Sequence, residues 1–214
     1  MRIAKVIAAI DQAIMPLRCA FCGTRTGNGN RLICGGCHND LPWNDSPAAL
    51  EPGLLQSEVA PFAYVFPIDA AIKAFKYQRK LFYGPALAAP LCAACEQLPG
   101  DVDAVMPVPL HWRRKWWRGF NQALELARPV ARHLGVPIIH VVTRTRFTPS
   151  QAGLNARERA RNMHAAFRLR RPLSCRHVLL VDDVITTGST LQELARVLLD
   201  GGAERVSGLA AARA

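Results

Sequence analysis

Hydrophobic positions change their period several times along the chain. Ile3, Val6, Ile7, Ile10 and Ile14 recur at helical spacing until Pro16, which predicts a short amphipathic helix. Pro42, Pro47, Pro52 and Gly53 then mark a linker region. Beyond it, VAPFAYVF predicts a strand, and IDAAIKAFKYQRKLFYGPALAAPLCAAC predicts two helices broken near Tyr83-Gly84-Pro85. DAVMPVPL reads as a strand entering a proline-rich loop, GFNQALELARPVARHLG as a helix with a glycine stop, and IIHVVTR as a further strand. After a long polar segment, Thr145 to Met163, come the strand HVLLVDD, a helix through LQELARVLLDGG and the strand RVSGLAAA. Strands alternating with helices predict an α/β fold whose parallel sheet offers ligand sites at the carboxyl ends of its strands. The pattern divides the chain into an N-terminal module, residues 1–50, and an α/β domain, residues 55–214.

The N-terminal module has its own chemistry. Of seven cysteines, four fall as Cys19-Ala-Phe-Cys22 and Cys34-Gly-Gly-Cys37, with eleven residues between the pairs. Each CxxC knuckle aims two thiolates at one point, and the turn-rich segment between them can fold back as a hairpin, giving a tetrahedral structural zinc site. Two disulfides are the competing arrangement, but they suit a chain with an export signal. His38, just outside the second knuckle, is the weaker alternative ligand. Cys92 and Cys95 lie in an alanine- and leucine-rich helical segment and are expected as buried free thiols; Cys175 is a lone thiol.

Composition narrows the partners. Half of the 214 residues are apolar, enough for a buried core, and 27 Lys+Arg against 16 Asp+Glu leave a net charge of +11. That excess favours polyanions such as phosphates, nucleotides or nucleic acid. Asp11 cuts the first apolar run, Arg18 precedes Cys19, and no later stretch reaches the roughly 18 apolar residues of a membrane span. A cytoplasmic protein is therefore expected.

In VLLVDDVITTGST, residues 178–190, four apolar residues lead into two carboxylates and then into threonine, serine and glycine. Backbone amides at a helix start, with small hydroxylated side chains and a close-approach glycine, make a phosphate cradle from Thr186, Thr187, Gly188, Ser189 and Thr190. Asp182 and Asp183 can accept hydrogen bonds from sugar hydroxyls. A nucleotide hydrolase would need a Gly-Lys pair that this chain lacks, and a phosphoacceptor receiver needs most of a domain after its acids. Helix capping alone would require one residue of this kind, not seven. A second dense stretch, HWRRKWWRGFNQ, combines three tryptophans with Arg113, Arg114, Lys115 and Arg118. It suits either single-stranded nucleic acid, with Trp117 as a stacking platform, or tryptophans packed in the core with the cations solvated or facing pyrophosphate.

These segments carry a family resemblance. VLLVDDVITTGST resembles the phosphoribosyl pyrophosphate (PRPP) signature of type I phosphoribosyltransferases. Together with CAFC, CGGC, PVPL, RGFNQA and QAGLNARERARNMHAAF, it makes the chain similar to the competence protein F (ComF) family from about Cys19 onward. The resemblance implies a type I phosphoribosyltransferase-like sheet with an N-terminal zinc ribbon. It places the ribose hydroxyls on Asp182 and Asp183, the 5′-phosphate on Thr186 to Thr190, and pyrophosphate with Mg2+ beside Pro107, Val108, Pro109 and Leu110. Thr145 to Met163, with Gln151, Asn155, Arg157, Arg159 and Arg161, corresponds to a mobile cover. Residues 55 to 100 and the zinc module are left to form any acceptor pocket. Transfer of a phosphoribosyl group with release of pyrophosphate is one implied role; a non-catalytic PRPP- and single-stranded-DNA-binding adaptor, partnered with DNA-uptake or DNA-processing proteins, is the other.

Overall fold

Val178, Leu179, Leu180 and Val181 are wholly buried, and the sheet is built around them. The computed structural model describes residues 17–26, 32–44, 53–145 and 166–214, which fall into two units divided between Leu41 and Pro42. The expected helix at residues 3–14 and nearly all of the polar segment 145–163 lie outside the described residues.

In the smaller unit, Arg18 and Arg25 form an antiparallel bridge around a turn in which the Gly23 amide donates to Cys19 O. Gly23 has φ +73°, a left-handed value that disfavours a side chain. The short helix α1 (Gly35–Asp40) begins within the second knuckle, with Cys34 as its N-cap.

In the larger unit the strands β1 (Ser57–Val59), β2 (Phe62–Ala63), β3 (Ala104–Pro107), β6 (His177–Ile185) and β7 (Arg205–Arg213) form one parallel sheet of order β1-β7-β6-β3, with β2 also alongside β7. Among the described residues, five α-helices belong to this unit: α2 (Ile68–Tyr77), α3 (Tyr83–Ala94), α4 (Trp112–Arg118), α5 (Gln122–Leu134) and α6 (Ser189–Asp200). Leu126, Ala127 and Val130 of α5, Leu87 and Leu91 of α3, and Leu194 and Leu198 of α6 are fully or almost fully buried. Gly208 of β7 leaves room for α6: a Cβ there would meet Leu191 Cδ1 at 3.0 Å. At the sheet's far end Ser57 Oγ donates to Ser207 Oγ (2.9 Å), which lies 2.9 Å from Nε2 of the buried His177, whose Nδ1 lies 3.1 Å from Asp101 Oδ1. These bonds satisfy the buried polar groups of His177 and Ser207, and run out to the half-exposed Asp101.

Several elements differ from the expected ones. The strand expected over VAPFAYVF is interrupted at Ala60-Pro61, where proline cannot donate to a ladder, and ends at Ala63. The helix break lies at 78–82, so Gly84 and Pro85 sit in the first turn of α3, where proline is tolerated. IIHVVTR divides: Ile138 bridges Val105 in parallel, but β4 (Val142–Arg144) turns away to pair antiparallel with β5 (Phe167–Leu169). Neither β5 nor α4 is apparent from the periodicity. β6 continues two residues past the acidic pair to Ile185, so the carboxylates lie inside the strand and not at its very end, where the expected strand HVLLVDD puts them.

Candidate functional site

Four thiols converge in the smaller unit. The Sγ atoms of Cys19, Cys22, Cys34 and Cys37 all lie within 4.8 Å of one another, and those of Cys22 and Cys34 are 3.6 Å apart. A tetrahedral zinc with Zn–S bonds of about 2.3 Å requires sulfurs separated by roughly 3.8 Å, so the donor set fits one such ion. All seven cysteines are unbridged. The Cys37 amide points at Cys34 Sγ (3.4 Å), and Cys22 Sγ lies 3.3 Å from the Thr24 hydroxyl, whose hydrogen bonding pulls the Cys22 thiol down to about 6. Burial and the neighbouring sulfurs push Cys37 in the opposite direction. Four sulfurs packed this closely cannot all ionise without a cation between them. Elsewhere, Cys95 is buried and its thiol is pushed up to about 12, the inert state expected for it, while Cys92 is only partly buried.

The register of the larger unit assembles the second site. Pro107 pairs with Val181, and the Val108 amide donates to Val181 O (2.9 Å), so the proline-rich loop leaves the sheet beside Asp182. Asn121 fixes that loop while starting α5: its Nδ2 donates to Val108 O (3.1 Å) and its Oδ1 caps the Ala123 amide (3.2 Å). A cleft of about 350 Å³ opens here, lined by Pro109, Asp182, Asp183, Thr186, Gly188, Ser189 and Thr190 of the turn, and cations from three other elements.

The hydroxyls of the turn are not consumed in capping. α6 begins at Ser189 with Gly188 as its N-cap and no side-chain cap bond, and Thr187 Oγ1 lies 3.0 Å from Ser189 Oγ. The first-turn amides and the positive end of the α6 dipole are therefore available to an anion in the cleft. Gly188 has φ +67°, and an added Cβ would meet Glu58 Oε2 at 3.6 Å. Glu58 is itself held in an ion pair by Arg213.

The same cleft is lined by Lys76, Arg114, Arg118 and Arg144. Pro107 and Pro109 have no N–H, so an anion beside this loop meets guanidinium groups in place of a run of backbone donors. Burial, then the nearby Arg114, lowers Arg144 to about 10. Lys76 Nζ lies 2.8 Å from Asp183 Oδ1. Burial opposes its charge, but Asp183 and then Asp182 outweigh that and hold its pKa above the ordinary value. Burial, then Asp183, pushes the Asp182 carboxyl up to about 7.

HWRRKWW is divided by α4. Arg114 and Arg118 line the cleft, whereas Trp112, Trp116 and Trp117 are 67%, 85% and 65% exposed, which rules out packing of Trp112 or Trp116 in the core. Arg113 lies 5.5 Å over the Trp112 ring, Arg118 lies 4.8 Å over Tyr77, and Tyr77 and Trp117 are 6.5 Å apart. Lys115 belongs to the same helix. The segment expected as a cover, with Gln151, Asn155, Arg157, Arg159 and Arg161, falls outside the described residues.

Sequence reasoning missed Tyr64, Lys76, Tyr77, Asn121, Gln122 and Arg144. One signal was present: Lys76 continues the four-residue spacing of the buried Ile68 and Ile72, which puts a charge on an apolar helix face.

A family model described as a phosphoribosyl transferase domain matches residues 121–212, a span that includes the acidic pair and the turn but not Lys76 or the proline-rich loop. The DNA utilization protein YhgH of Escherichia coli K12 is 37% identical over 202 residues, covering 88% of this chain and 86% of that protein. YhgH of Salmonella typhimurium LT2 is 36% identical over 198 residues, with 88% and 80% covered. Competence protein F of Haemophilus influenzae is 37% identical over 163 residues, with 71% and 70% covered.

Proposed function

The chain belongs to the competence protein F (ComF) family, and from that premise we propose that it is a cytoplasmic, PRPP-binding, phosphoribosyltransferase-like protein serving DNA uptake or utilisation. The observation that carries the proposal is the convergence, in one cleft, of two carboxylates, a hydroxyl-lined helix start and a wall of cations. A ribose 5-phosphate with a pyrophosphate at its anomeric carbon needs those three environments. Its vicinal hydroxyls require acceptors, here Asp182 and Asp183; its monoester requires amides and hydroxyls, here Thr186 to Thr190; its pyrophosphate requires positive charge, here Arg114, Arg118 and Arg144 next to Pro107, Val108 and Pro109. Mg2+ would enter with the pyrophosphate, whose charge it offsets. Residues 55–214 form the PRPP-binding domain in this reading, and residues 1–50 carry a structural zinc on Cys19, Cys22, Cys34 and Cys37.

As a transferase, the protein would hold PRPP while an acceptor atom bonds to the anomeric carbon and the bond to pyrophosphate breaks. Positive charge develops on the sugar, and the arginines stabilise the departing oxygens. The second reading, an adaptor binding PRPP and single-stranded DNA, is favoured by the exposure of three tryptophans interleaved with arginines on α4. It also suits the printed names of the relatives, which refer to DNA utilization and competence. Incubation with PRPP, Mg2+ and either free nucleobases or single-stranded DNA separates the two. Pyrophosphate release that depends on an acceptor identifies a transferase. Retention of PRPP in equilibrium dialysis with no release identifies the adaptor, and no retention at all contradicts both.

A further inference from the structure

Lys73 and Lys76 lie on the same helix but have different surroundings: the Lys73 side chain is 55% exposed and the Lys76 side chain 18%. A lysine drawn this far from water needs a fixed anion, and it has one in Asp183, 2.8 Å away. Its position in the last turn of α2 adds the negative end of that helix's dipole. The contacts of the two carboxylates are complementary. Asp183 Oδ1 takes the Lys76 ammonium, and Asp182 Oδ1 accepts from the Asp183 amide at 2.8 Å. Asp182 Oδ2 and Asp183 Oδ2 take neither bond, which leaves one oxygen of each carboxylate for the two donors of a vicinal diol.

Adjacent carboxylates without a counter-charge attract a divalent cation. Here a tethered monocation already sits beside them, and a hydrated Mg2+ would have to displace it or share the pair with it. A neutral diol faces no such repulsion. Resting on the PRPP reading of the cleft, we infer that Lys76 is a specificity-determining residue, a built-in counter-cation that excludes divalent metal from Asp182 and Asp183 and reserves them for ribose hydroxyls. Metal then reaches the site only with pyrophosphate.

Ribose 5-phosphate, which lacks the pyrophosphate, is the probe, with 2-deoxyribose 5-phosphate as a control and Mn2+ alone as the metal. Calorimetry on the full chain should show ribose 5-phosphate bound equally with EDTA or Mg2+, and the deoxy sugar bound more weakly. Lys76→Met should lose at least tenfold in ribose 5-phosphate affinity without metal and gain a Mn2+ site, read by its paramagnetic resonance, that Asp183→Asn in the same background removes. Lys76→Arg should restore metal-independent binding. Lys76→Met that is folded, keeps parental affinity and acquires no Mn2+ overturns the inference. So does a Mn2+ site in the parent that Asp183→Asn abolishes, a result that does not depend on how Lys76→Met folds. A parent that binds neither ribose 5-phosphate nor PRPP overturns instead the reading on which the inference rests.

Discussion

Asp182 is pushed up to about 7 by burial and by Asp183, against the pull of Lys76, the Asp183 amide and Arg144. A protonated carboxyl has lost acceptor capacity for a sugar hydroxyl, so ribose 5-phosphate affinity should fall as pH drops through about 7, by at most tenfold per unit for one proton. The sugar's own phosphate titrates near 6, and Asp182→Asn separates the two: the variant should keep the lower step and lose the upper one. An affinity independent of pH between 6 and 8.5 would contradict the assignment. Gly188 is a cleft residue whose identity the backbone dictates. Gly188→Val should cost roughly 1–2 kcal/mol of stability through its left-handed φ and abolish phosphate-dependent binding, read by thermal unfolding and calorimetry on the same sample. Cys95 shows what residue-level reading does well, since the apolar setting of CAAC predicts a buried free thiol; Cys92 is free too but only partly buried.

At the scale of elements, legibility follows the length of the pattern. β6 and β7 are long apolar runs, and α5 has an Asn121 cap and a Gly135 stop, so each could be read from sequence. β5 has three residues, too few for a period of two to be recognised, and β4, the end of the expected strand IIHVVTR, pairs with it antiparallel. α4 is rich in arginine and tryptophan with no apolar stripe, so its composition suggested a ligand while hiding the helix. Lys76 was missed because a lone charge on an apolar face carries meaning only when its partner, 107 positions later, is known. The helix α4 makes a two-part prediction. Arg113→Ala should flatten the salt dependence of single-stranded DNA binding by about 0.7 in log-log slope and leave PRPP affinity unchanged, whereas Arg114→Ala should weaken PRPP binding. Trp117→Ala should cost about 1–3 kcal/mol of DNA affinity with the slope unaltered. Fluorescence anisotropy across a salt series measures both, and identical slopes for the parent and Arg113→Ala would remove the outer face from the DNA surface. For the small unit, metal analysis of protein purified without added metal should find about one zinc per chain. Cys22→Ser should unfold residues 19 to 40 while PRPP binding is partly kept, and protein without metal would contradict the ribbon.

For the whole molecule the net charge is +11, and the cleft takes a share of it, with four cations lining it beside two carboxylates of which one ionises only near neutrality. Among the described residues no helix is long and apolar enough to cross a membrane. The family model covers α5 to β7, yet charged groups of the cleft come also from α2 and α4. A ligand signature therefore located the site, while the cation wall depended on tertiary structure. Asp182 ties stability to function. Its carboxyl is harder to ionise in the folded chain than in the unfolded one, so the unfolded state binds fewer protons between about pH 4 and 7 and stability falls as pH rises through that window. Asp182→Asn removes this cost at neutral pH and should stabilise the chain by roughly 1–3 kcal/mol. Calorimetric titration of parent and Asp182→Asn with PRPP and Mg2+ is the most direct test of the account. It predicts one PRPP per parent chain and a tenfold to hundredfold weaker affinity in the variant, from the loss of about 1.5–3 kcal/mol in charged hydrogen bonding, with thermal stability no lower than the parent's. Equal affinities, or no binding by the parent, would contradict it.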